Sequence, residues 1–189
     1  MSACASGLSD TFSLIILCGG RSTRMGRDKA SLPFGGGTLL SCQQDKARAL
    51  GIRDVLCCGP GGIPDRYPGR GPLAGVHAGL LCADHSRCIV IPVDMPLLPA
   101  EELLRLARRH LQGTAEVTLA AHGGRTEPLV GVYESRLAPA VGAYLAAGHT
   151  RVTGFLSSVT CFASPSPLPE RCFANVNTPG DFCKISELL

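Results

Sequence analysis

Short apolar runs alternate with longer amphipathic segments along the chain. Apolar runs bounded by turn residues predict buried strands, and apolar positions that recur every three or four residues predict helices. We predict strands over 12–18, 55–58, 88–93, 117–121 and 129–133, and helices over 38–50, 73–83, 99–112, 135–147 and 180–189. Because strands that alternate with helices are typical of βαβ units, we expect an α/β fold with a mainly parallel, doubly wound sheet and helices on both faces.

The composition of the chain supports one globular domain. It has 189 residues, of which 45% are hydrophobic and 17% charged, which is typical of a folded domain rather than a disordered segment. No apolar run approaches the roughly 20 residues that a membrane span needs, and a net charge of +3 does not indicate nucleic-acid binding. Residues 1–11 have no basic segment before an apolar stretch, so we predict a mobile tail rather than a secretory signal, and a domain over 12–189.

The ten cysteines do not form a recognisable motif. They show no Cys-x-x-Cys spacing and no Cys/His set typical of zinc sites. Most lie in apolar runs such as 55–58 and 88–91, where a free thiol acts as a small hydrophobic side chain. A metal or cluster site and disulfides are the alternatives. Without an export signal we expect free thiols and a reducing cytoplasm.

One predicted strand leads directly into a glycine-rich, cationic loop. The apolar run 14–17 ends at Cys18, Gly19 and Gly20, and the next residues, up to and including Lys29, contain three arginines and one lysine. Glycine lets main-chain N–H groups approach an anion, and Arg and Lys supply counter-charge, so the loop predicts a phosphate site. The alternative is a solvated surface turn. The loop has neither the Walker ending nor the Gly-x-Gly-x-x-Gly spacing of a dinucleotide site.

A second candidate residue, Asp94, follows the apolar run 89–93. Ligands of parallel sheets bind beyond the carboxyl ends of the strands, and both Gly19 and Asp94 follow such ends. A carboxylate placed there suits Mg²⁺, which binds one or two carboxylates together with nucleotide phosphates. The alternative is an aspartate that caps the turn after the strand.

Two further segments contain candidate binding residues. Residues 71–75 open a predicted helix with glycine and proline, which favours close approach of a nucleotide to a helix N-terminus. Asn175 and Asn177 would face the same side of an extended segment. The alternative for this pair is two turn-forming amides before Thr178 and Pro179.

Four segments of the chain together resemble the molybdenum cofactor guanylyltransferase family. Residues 17–29 read Leu-Cys-Gly-Gly-Arg-Ser-Thr-Arg-Met-Gly-Arg-Asp-Lys, and segments 71–75, 92–97 and 175–179 follow in the family's order. The family's loop reads Leu-Ala-Gly-Gly, a short variable stretch, Arg-Met-Gly and then Asp-Lys. The resemblance extends over about residues 12–185 and implies a Rossmann-like nucleotidyltransferase fold.

This resemblance implies that GMP is transferred from GTP to the terminal phosphate of molybdopterin, with release of pyrophosphate. It implies Arg24, Lys29 and Asp94 as catalytic residues, with Asp94 as the ligand of a Mg²⁺ cofactor. The binding residues that it implies are Leu17, Cys18, Gly19, Gly20, Lys29, Asp65, Asp94, Asn175 and Asn177. The expected partners are GTP and molybdopterin, then other cofactor-synthesis proteins and recipient molybdoenzymes, without nucleic acid or membrane.

The chain departs from the family's pattern at two places. Cys18 replaces the usual alanine, and the stretch 57–60 lacks an asparagine that helps to hold the nucleotide in many members. The alternatives are a molybdopterin cytidylyltransferase, a sugar or terpenoid nucleotidyltransferase, and a non-catalytic carrier of the cofactor. Related cytidylyltransferases read Ala-Ala-Gly where this chain has Cys18-Gly19-Gly20. Gly19 leaves more room for a purine, which favours guanine.

Overall fold

The computed structural model describes residues 8–19 and 29–186. The strands are β1 (Phe12–Leu17), β2 (Pro33–Phe34), β3 (Gly37–Thr38), β4 (Val55–Cys58), β5 (Arg87–Pro92), β6 (Val117–His122), β7 (Arg125–Glu134) and β8 (Cys161–Pro165). The helices are α1 (Leu39–Leu50), α2 (Pro72–Cys82), α3 (Ala100–Leu111), α4 (Ala138–Ala146), α5 (Val152–Leu156) and α6 (Pro179–Ser186). Short 3₁₀ turns occupy Lys29–Ser31, Ser135–Leu137 and Glu170–Phe173.

Six strands form the main sheet in the order β4-β1-β5-β7-β6-β8. Strands β4, β1 and β5 are parallel to one another, and β6 is parallel to β8. Strand β7 is antiparallel to both of its neighbours, β5 and β6. The prediction of an α/β fold with a mainly parallel sheet is therefore confirmed. The antiparallel strand β7 begins at the end of the sheet where β5 finishes, and the candidate site lies at this end.

The central strand β1 contributes to an apolar cluster on each face of the sheet. Phe12, Leu14 and Ile16 belong to the cluster that includes residues of α1 and α3. Ile15 and Leu17 belong to the cluster that includes residues of α2 and α4. Successive side chains of a strand point to opposite faces, so a fully apolar strand is expected where helices cover both faces. Each fully buried Leu or Ile contributes about 1.5–3 kcal/mol.

Local signals explain where the first helix begins and ends. Thr38 caps α1: its side chain accepts a hydrogen bond from the Ser41 N–H, and the Ser41 side chain accepts one from the Thr38 N–H. Gly51 ends the helix in the left-handed conformation with φ 71°, which glycine adopts without a steric penalty. The predicted helix over 38–50 corresponds to α1, with Thr38 as its N-cap residue.

Other predicted boundaries changed. Strand β7 starts at Arg125 rather than at 129 because it pairs with β6 across a tight hairpin whose residues Gly123 and Gly124 have positive φ. The predicted helix over 135–147 begins with a 3₁₀ turn, and α4 starts only at Ala138. Strands β2, β3 and β8 and helix α5 were not predicted; all four are five residues or shorter.

The position of Leu8 and the exposure of some cysteines differ from expectation. Leu8, which we placed in a mobile tail, is buried in an apolar cluster, so the folded part of the chain includes this residue. The nine cysteines in the described ranges are free thiols. Cys18, Cys58 and Cys88 are buried, as expected for cysteines in apolar runs, whereas Cys82, Cys161 and Cys183 are exposed. Within residues 8–19 and 29–186, no helix has the length and apolarity to cross a lipid bilayer.

A methyl group at Gly79 would test the contact between α2 and β1. An ideal Cβ there would lie 2.7 Å from both Cδ1 and Cγ2 of Ile15. We expect Gly79→Ala to lower the free energy of unfolding by about 1–3 kcal/mol, because overpacking forces neighbouring atoms to shift. Ile15→Val removes Cδ1, so it should cost less in the Gly79→Ala background than in the wild type. Urea denaturation of the wild type, the two single variants and the double variant measures this coupling. Strictly additive losses in the free energy of unfolding would contradict the contact.

Candidate active site

The main cavity opens at the carboxyl ends of β1, β4 and β5 and has a volume of about 850 Å³. Seven of the predicted site residues line it: Leu17, Gly19, Lys29, Asp65, Asp94, Asn175 and Asn177. They come from four separate segments of the chain. The rule that ligands of α/β sheets bind beyond the carboxyl ends of the strands therefore locates the cavity correctly.

The ammonium group of Lys29 joins two of these segments. Lys29 Nζ donates hydrogen bonds to Asp94 Oδ2 and to Asn177 Oδ1, each at 2.8 Å. The side chains of Lys29 and Asp94 are 14% and 18% exposed, so the charge pair is partly shielded from water and stronger than a fully exposed one. In sequence, Lys29 is separated from Asp94 by 65 positions and from Asn177 by 148 positions.

The turn that carries Asp94 is anchored by its main chain on three sides. The Val93 N–H donates to Leu17 O at 3.0 Å, and the Val176 N–H donates to Asp94 O at 2.8 Å. From α1, Gln43 Nε2 donates to the carbonyl oxygens of Val93 and Met95 at 3.3 and 3.1 Å. Buried carbonyl groups need such partners, and satisfying them fixes the position of the Asp94 carboxylate.

Lys46 completes this anchoring from the next turn of α1. It is only 7% exposed, and its Nζ donates to Gln43 Oε1 at 2.6 Å and to Met95 O at 3.2 Å. Burial lowers the pKa of Lys46 to about 8, because an apolar environment disfavours the charged form. A neutral amine retains two N–H donors, so both hydrogen bonds persist when the proton is lost.

Asn177 is fixed by the cap of the last helix. Asp181 Oδ2 accepts hydrogen bonds from the N–H groups of Asn177 and Thr178 at 3.1 and 2.9 Å, and Thr178 Oγ1 accepts one from the Asp181 N–H at 3.1 Å. A hydrogen bond from the Thr178 hydroxyl to the Asp181 carboxylate, and then the bond from the Asn177 main chain, lower the pKa of this carboxyl. The asparagine pair therefore precedes a helix cap and also faces the cavity.

Asp65 has an oxygen without a partner in the cavity wall. Its Oδ1 is buried and receives no hydrogen bond within the described residues. Burial raises the pKa of this carboxyl above its ordinary value. An ideal Cβ on Gly75 would lie 3.7 Å from Asp65 Oδ1 and 3.1 Å from Leu17 Cδ2. Glycine in α2 thus keeps the space beside the carboxylate open, and a ligand with N–H donors would satisfy the oxygen.

The remaining predicted residues lie elsewhere. Gly20 and Arg24 are outside the described residues. The side chain of Cys18 packs in the cluster on the α1 side of the sheet, and its Sγ donates to Ile16 O at 3.7 Å. Its main-chain N–H donates to Cys58 O at 2.8 Å. Cys18 therefore supports the start of the loop through its backbone, and its side chain is directed away from the cavity.

The opposite wall of the cavity contains Arg151 and part of the segment 127–133, which resemble the family's pterin-facing portion although no individual residue there was predicted as a site residue. Residues 127–129, from β7, and 150–153, at the start of α5, line it together with Met95 and Cys58. The start of β7 reaches the site because this strand is antiparallel.

Oxygen ligands from two segments meet beside Lys29. They are the carboxylate of Asp94 and the amide oxygen of Asn177, and Asn175 lines the same cavity. No group of three or more His, Cys, Asp or Glu residues that could enclose a metal occurs in the described parts of the chain. This set fits Mg²⁺ that also takes ligands from substrate phosphates and water, because Mg²⁺ prefers oxygen and commonly uses one or two carboxylates.

The chain is similar to one family of nucleotide-dependent transferases and to named relatives within it. Residues 14–159 match the model of the MobA-like NTP transferase domain. The molybdenum cofactor guanylyltransferase of Rhizobium johnstonii is 34% identical over 193 residues, which cover 93% of this chain and 91% of that protein.

Two solved structures share the fold. The molybdopterin-guanine dinucleotide biosynthesis protein A from Archaeoglobus fulgidus has a TM-score of 0.73 and 20% identity, over 93% of this chain and 97% of that chain. The 2-C-methyl-D-erythritol 4-phosphate cytidylyltransferase from Thermus thermophilus has a TM-score of 0.66 and 19% identity, over 93% of this chain and 97% of that chain. The structural similarity therefore includes proteins whose names specify different nucleotides.

The buried amine of Lys46 predicts a dependence of stability on pH. Folding lowers its pKa from 10.5 to about 8, so between these values the unfolded chain binds the proton more often and stability rises with pH. We expect wild type to gain on the order of 2 kcal/mol over Lys46→Met between pH 7 and pH 10. Urea denaturation at each pH measures the difference, with the exposed Lys184→Met as the control. A difference that does not change with pH would contradict burial of this amine.

Proposed function

We propose that this chain, which belongs to the MobA-like NTP transferase family, transfers GMP from GTP to the terminal phosphate of molybdopterin. The product would be molybdopterin guanine dinucleotide, with pyrophosphate released. The observation that carries the proposal is the convergence of Lys29, Asp94 and Asn177 in one cavity at the carboxyl edge of the sheet. A cation, a carboxylate and an amide placed together suit the binding of a triphosphate.

The reaction needs no protein nucleophile. An oxygen of the molybdopterin phosphate, already an anion, forms a bond to the α-phosphorus of GTP. The bond from that phosphorus to the bridging oxygen of the β-phosphate breaks, and its electrons leave with pyrophosphate. Catalysis of such a transfer consists mainly of positioning and electrostatic stabilisation. The chain therefore has to hold two anions in line and stabilise the charge that develops on the leaving group.

Lys29 is the residue that we assign to this stabilisation. Its ammonium group has three N–H donors, and two of them are held by Asp94 and Asn177. These bonds point the group into the cavity, where the third donor, which has no partner among the described residues, is available to a phosphate oxygen. Arg24 would add a second cation, as the resemblance implies, although it lies outside the described residues.

Asp94 is the residue that we assign to Mg²⁺. When bound, Mg²⁺ would supply positive charge to the phosphate oxygens of the nucleotide. The anchored turn keeps the Asp94 carboxylate at the carboxyl end of β5, and Asn177 offers a neutral oxygen beside it. A pre-positioned carboxylate reduces the reorganisation needed when the nucleotide arrives.

The end of the cavity beside α2 suits the guanine base. Leu17 supplies an apolar contact, and Gly19 and Gly75 leave space for a flat ring. The unpartnered Oδ1 of Asp65 is an acceptor for the N1–H and 2-amino donors that guanine carries and cytosine does not present in the same arrangement. GTP is therefore the nucleotide that this chemistry favours over CTP. A cytoplasmic location remains a prediction from the sequence.

Titration with nucleotides tests this assignment. We expect GTP with Mg²⁺ to bind more tightly than CTP or ATP in isothermal titration calorimetry. Asp94→Asn preserves the shape and one oxygen but removes the charge, so it should weaken Mg²⁺-dependent binding and slow GMP transfer about 10²–10³-fold. The control is Asp84→Asn, which changes an exposed carboxylate in the turn between α2 and β5, at the amino end of β5. Preference for CTP would identify a cytidylyltransferase. Absence of nucleotide binding would favour the alternative of a non-catalytic carrier of the molybdenum cofactor.

The space at Gly19 gives a separate test of base selection. An ideal Cβ at Gly19 would meet no heavy atom of the described residues within 4 Å, so alanine should fold normally and occupy cavity volume. We expect Gly19→Ala to weaken GTP binding about tenfold or more while changing CTP binding less, because the purine is larger. Competition between the two nucleotides measures the ratio. An equal loss for both would contradict the assignment of Gly19 to the base.

A further inference from the structure

Two cysteines lie on adjacent strands beside the main cavity. Cys57 of β4 pairs in register with Ile16 of β1, and Cys18 follows two positions after Ile16. Alternate residues along an extended chain share a face. Both thiols accordingly lie on the α1 side of the sheet, where Cys18 is buried and Cys57 packs against the same apolar cluster. The pair therefore consists of diagonal neighbours on adjacent strands.

A hydrogen bond joins the two thiols. This bond is the main cause that lowers the pKa of the Cys57 thiol to about 7; burial opposes the change, and a further bond with the Gln44 side chain adds to it. A large fraction of Cys57 is then thiolate at neutral pH, and the thiolate is the nucleophilic form of cysteine. Cys57 is also partly exposed, so a small oxidant can reach its sulfur.

Two neighbouring thiols have the opposite character. Burial is the main cause that raises the pKa of Cys58 and of Cys88 to about 12. Cys58 belongs to the apolar cluster on the other face of the sheet, so its side chain points away from that of Cys57. Buried thiols that stay protonated are inert. The chemistry of this part of the sheet therefore belongs to Cys57 and its hydrogen-bonding partner Cys18.

A covalent bond between Cys18 and Cys57 would move the start of the loop after β1. The Cα atoms of diagonal neighbours are about 7–8 Å apart, whereas a disulfide needs about 4.4–6.8 Å. The main chain of Gly19 already lies close to the turn after β4, since an ideal Cβ on Gly59 would be 2.7 Å from Gly19 N. Gly19 lines the main cavity, so the approach of Cys18 to Cys57 displaces part of the cavity wall.

We propose that Cys18 and Cys57 form a reversible disulfide in response to a hydroperoxide, and that this bond weakens nucleotide binding. The thiolate of Cys57 attacks one oxygen of hydrogen peroxide, the O–O bond breaks, and the hydroxide that leaves takes up a proton to become water. The Cys18 sulfur then attacks the sulfenic acid formed on Cys57, and its proton leaves with the departing hydroxyl as a second water. The two thiols together supply the two electrons that reduce the peroxide.

Nucleotide binding and oxidation of the pair must influence each other equally. If the disulfide weakens GTP binding about tenfold, bound GTP favours the reduced pair by the same factor. For a two-electron couple, that factor raises the reduction potential by about 30 mV. The pair is thus protected in the occupied protein and oxidised more readily in the empty one. The effect on GTP rests on the proposed function, whereas formation of the bond does not.

Peptide mapping tests formation of the bond without any activity. The purified protein is treated with hydrogen peroxide, alkylated, digested with trypsin and analysed by mass spectrometry. We expect a peptide that links Cys18 to Cys57, and fragmentation distinguishes these residues from Cys4 and Cys58. Cys57→Ser should abolish the linked peptide. Cys82→Ser, which changes an exposed cysteine, is the matched control and should leave it unchanged.

Calorimetric titration with GTP and Mg²⁺ supplies the second readout. We expect oxidation to weaken GTP binding about tenfold or more, because a displacement of about 1 Å at a binding site has effects of this size. Dithiothreitol should restore the affinity. Cys57→Ser should bind GTP as the reduced wild type does and no longer respond to peroxide, whereas Cys82→Ser should respond fully. Thermal unfolding of the oxidised protein separates the effect from loss of the fold.

Equilibration in glutathione buffers measures the coupling from the other side. Saturating GTP should raise the reduction potential of the pair by about 30 mV for a tenfold effect on affinity. Cys18→Ala should remove this redox transition, since one thiol of the pair is then missing. A potential that does not change with GTP would overturn the link between the pair and the nucleotide.

The outcomes separate this inference from the proposed function. Oxidation of exposed thiols without a bond between Cys18 and Cys57, or a bond between Cys57 and Cys58 instead, would overturn the redox pair. Equal GTP binding by the reduced and the disulfide-bonded protein would overturn the regulation and leave the enzyme assignment intact. A disulfide between Cys18 and Cys57 in a protein that binds no nucleotide when reduced would support the bond. It would overturn both the effect on nucleotide and the proposed function.

Discussion

The site depends on one constraint: the carbonyl groups of the turn after β5 are buried and must receive hydrogen bonds. Gln43 and Lys46 supply them from α1, and Val176 supplies one from the C-terminal segment. These hydrogen bonds connect the Asp94 turn to α1 and to the asparagine segment and fix their relative positions. A helix on one face of the sheet thereby determines the position of a carboxylate at its edge.

The same constraint explains why the C-terminal segment reaches the nucleotide cavity. Phe173 stacks on His122, Val176 binds the Asp94 main chain, and Asp181 caps α6 and holds Asn177. These anchors alternate along a short stretch with the two asparagines that line the cavity. Because the backbone is fixed on both sides of each amide, little conformational entropy is lost when a ligand binds. Lys29 then links this segment to Asp94 through a single ammonium group.

Local signals predicted the strands that are buried on both faces, β1 and β5, because continuous apolar runs do not depend on partner strands. They also predicted that Asp94 and Gly19 lie at the same end of the sheet, because both residues follow the carboxyl ends of parallel strands. Strand β8 pairs with one neighbour at the sheet edge and is largely exposed, so its sequence has little apolar signal. The face occupied by Cys18 follows from alternation with Leu14 and Ile16. That Glu127 lines the same cavity as Asp94 depends on the antiparallel direction of β7, which local sequence does not encode.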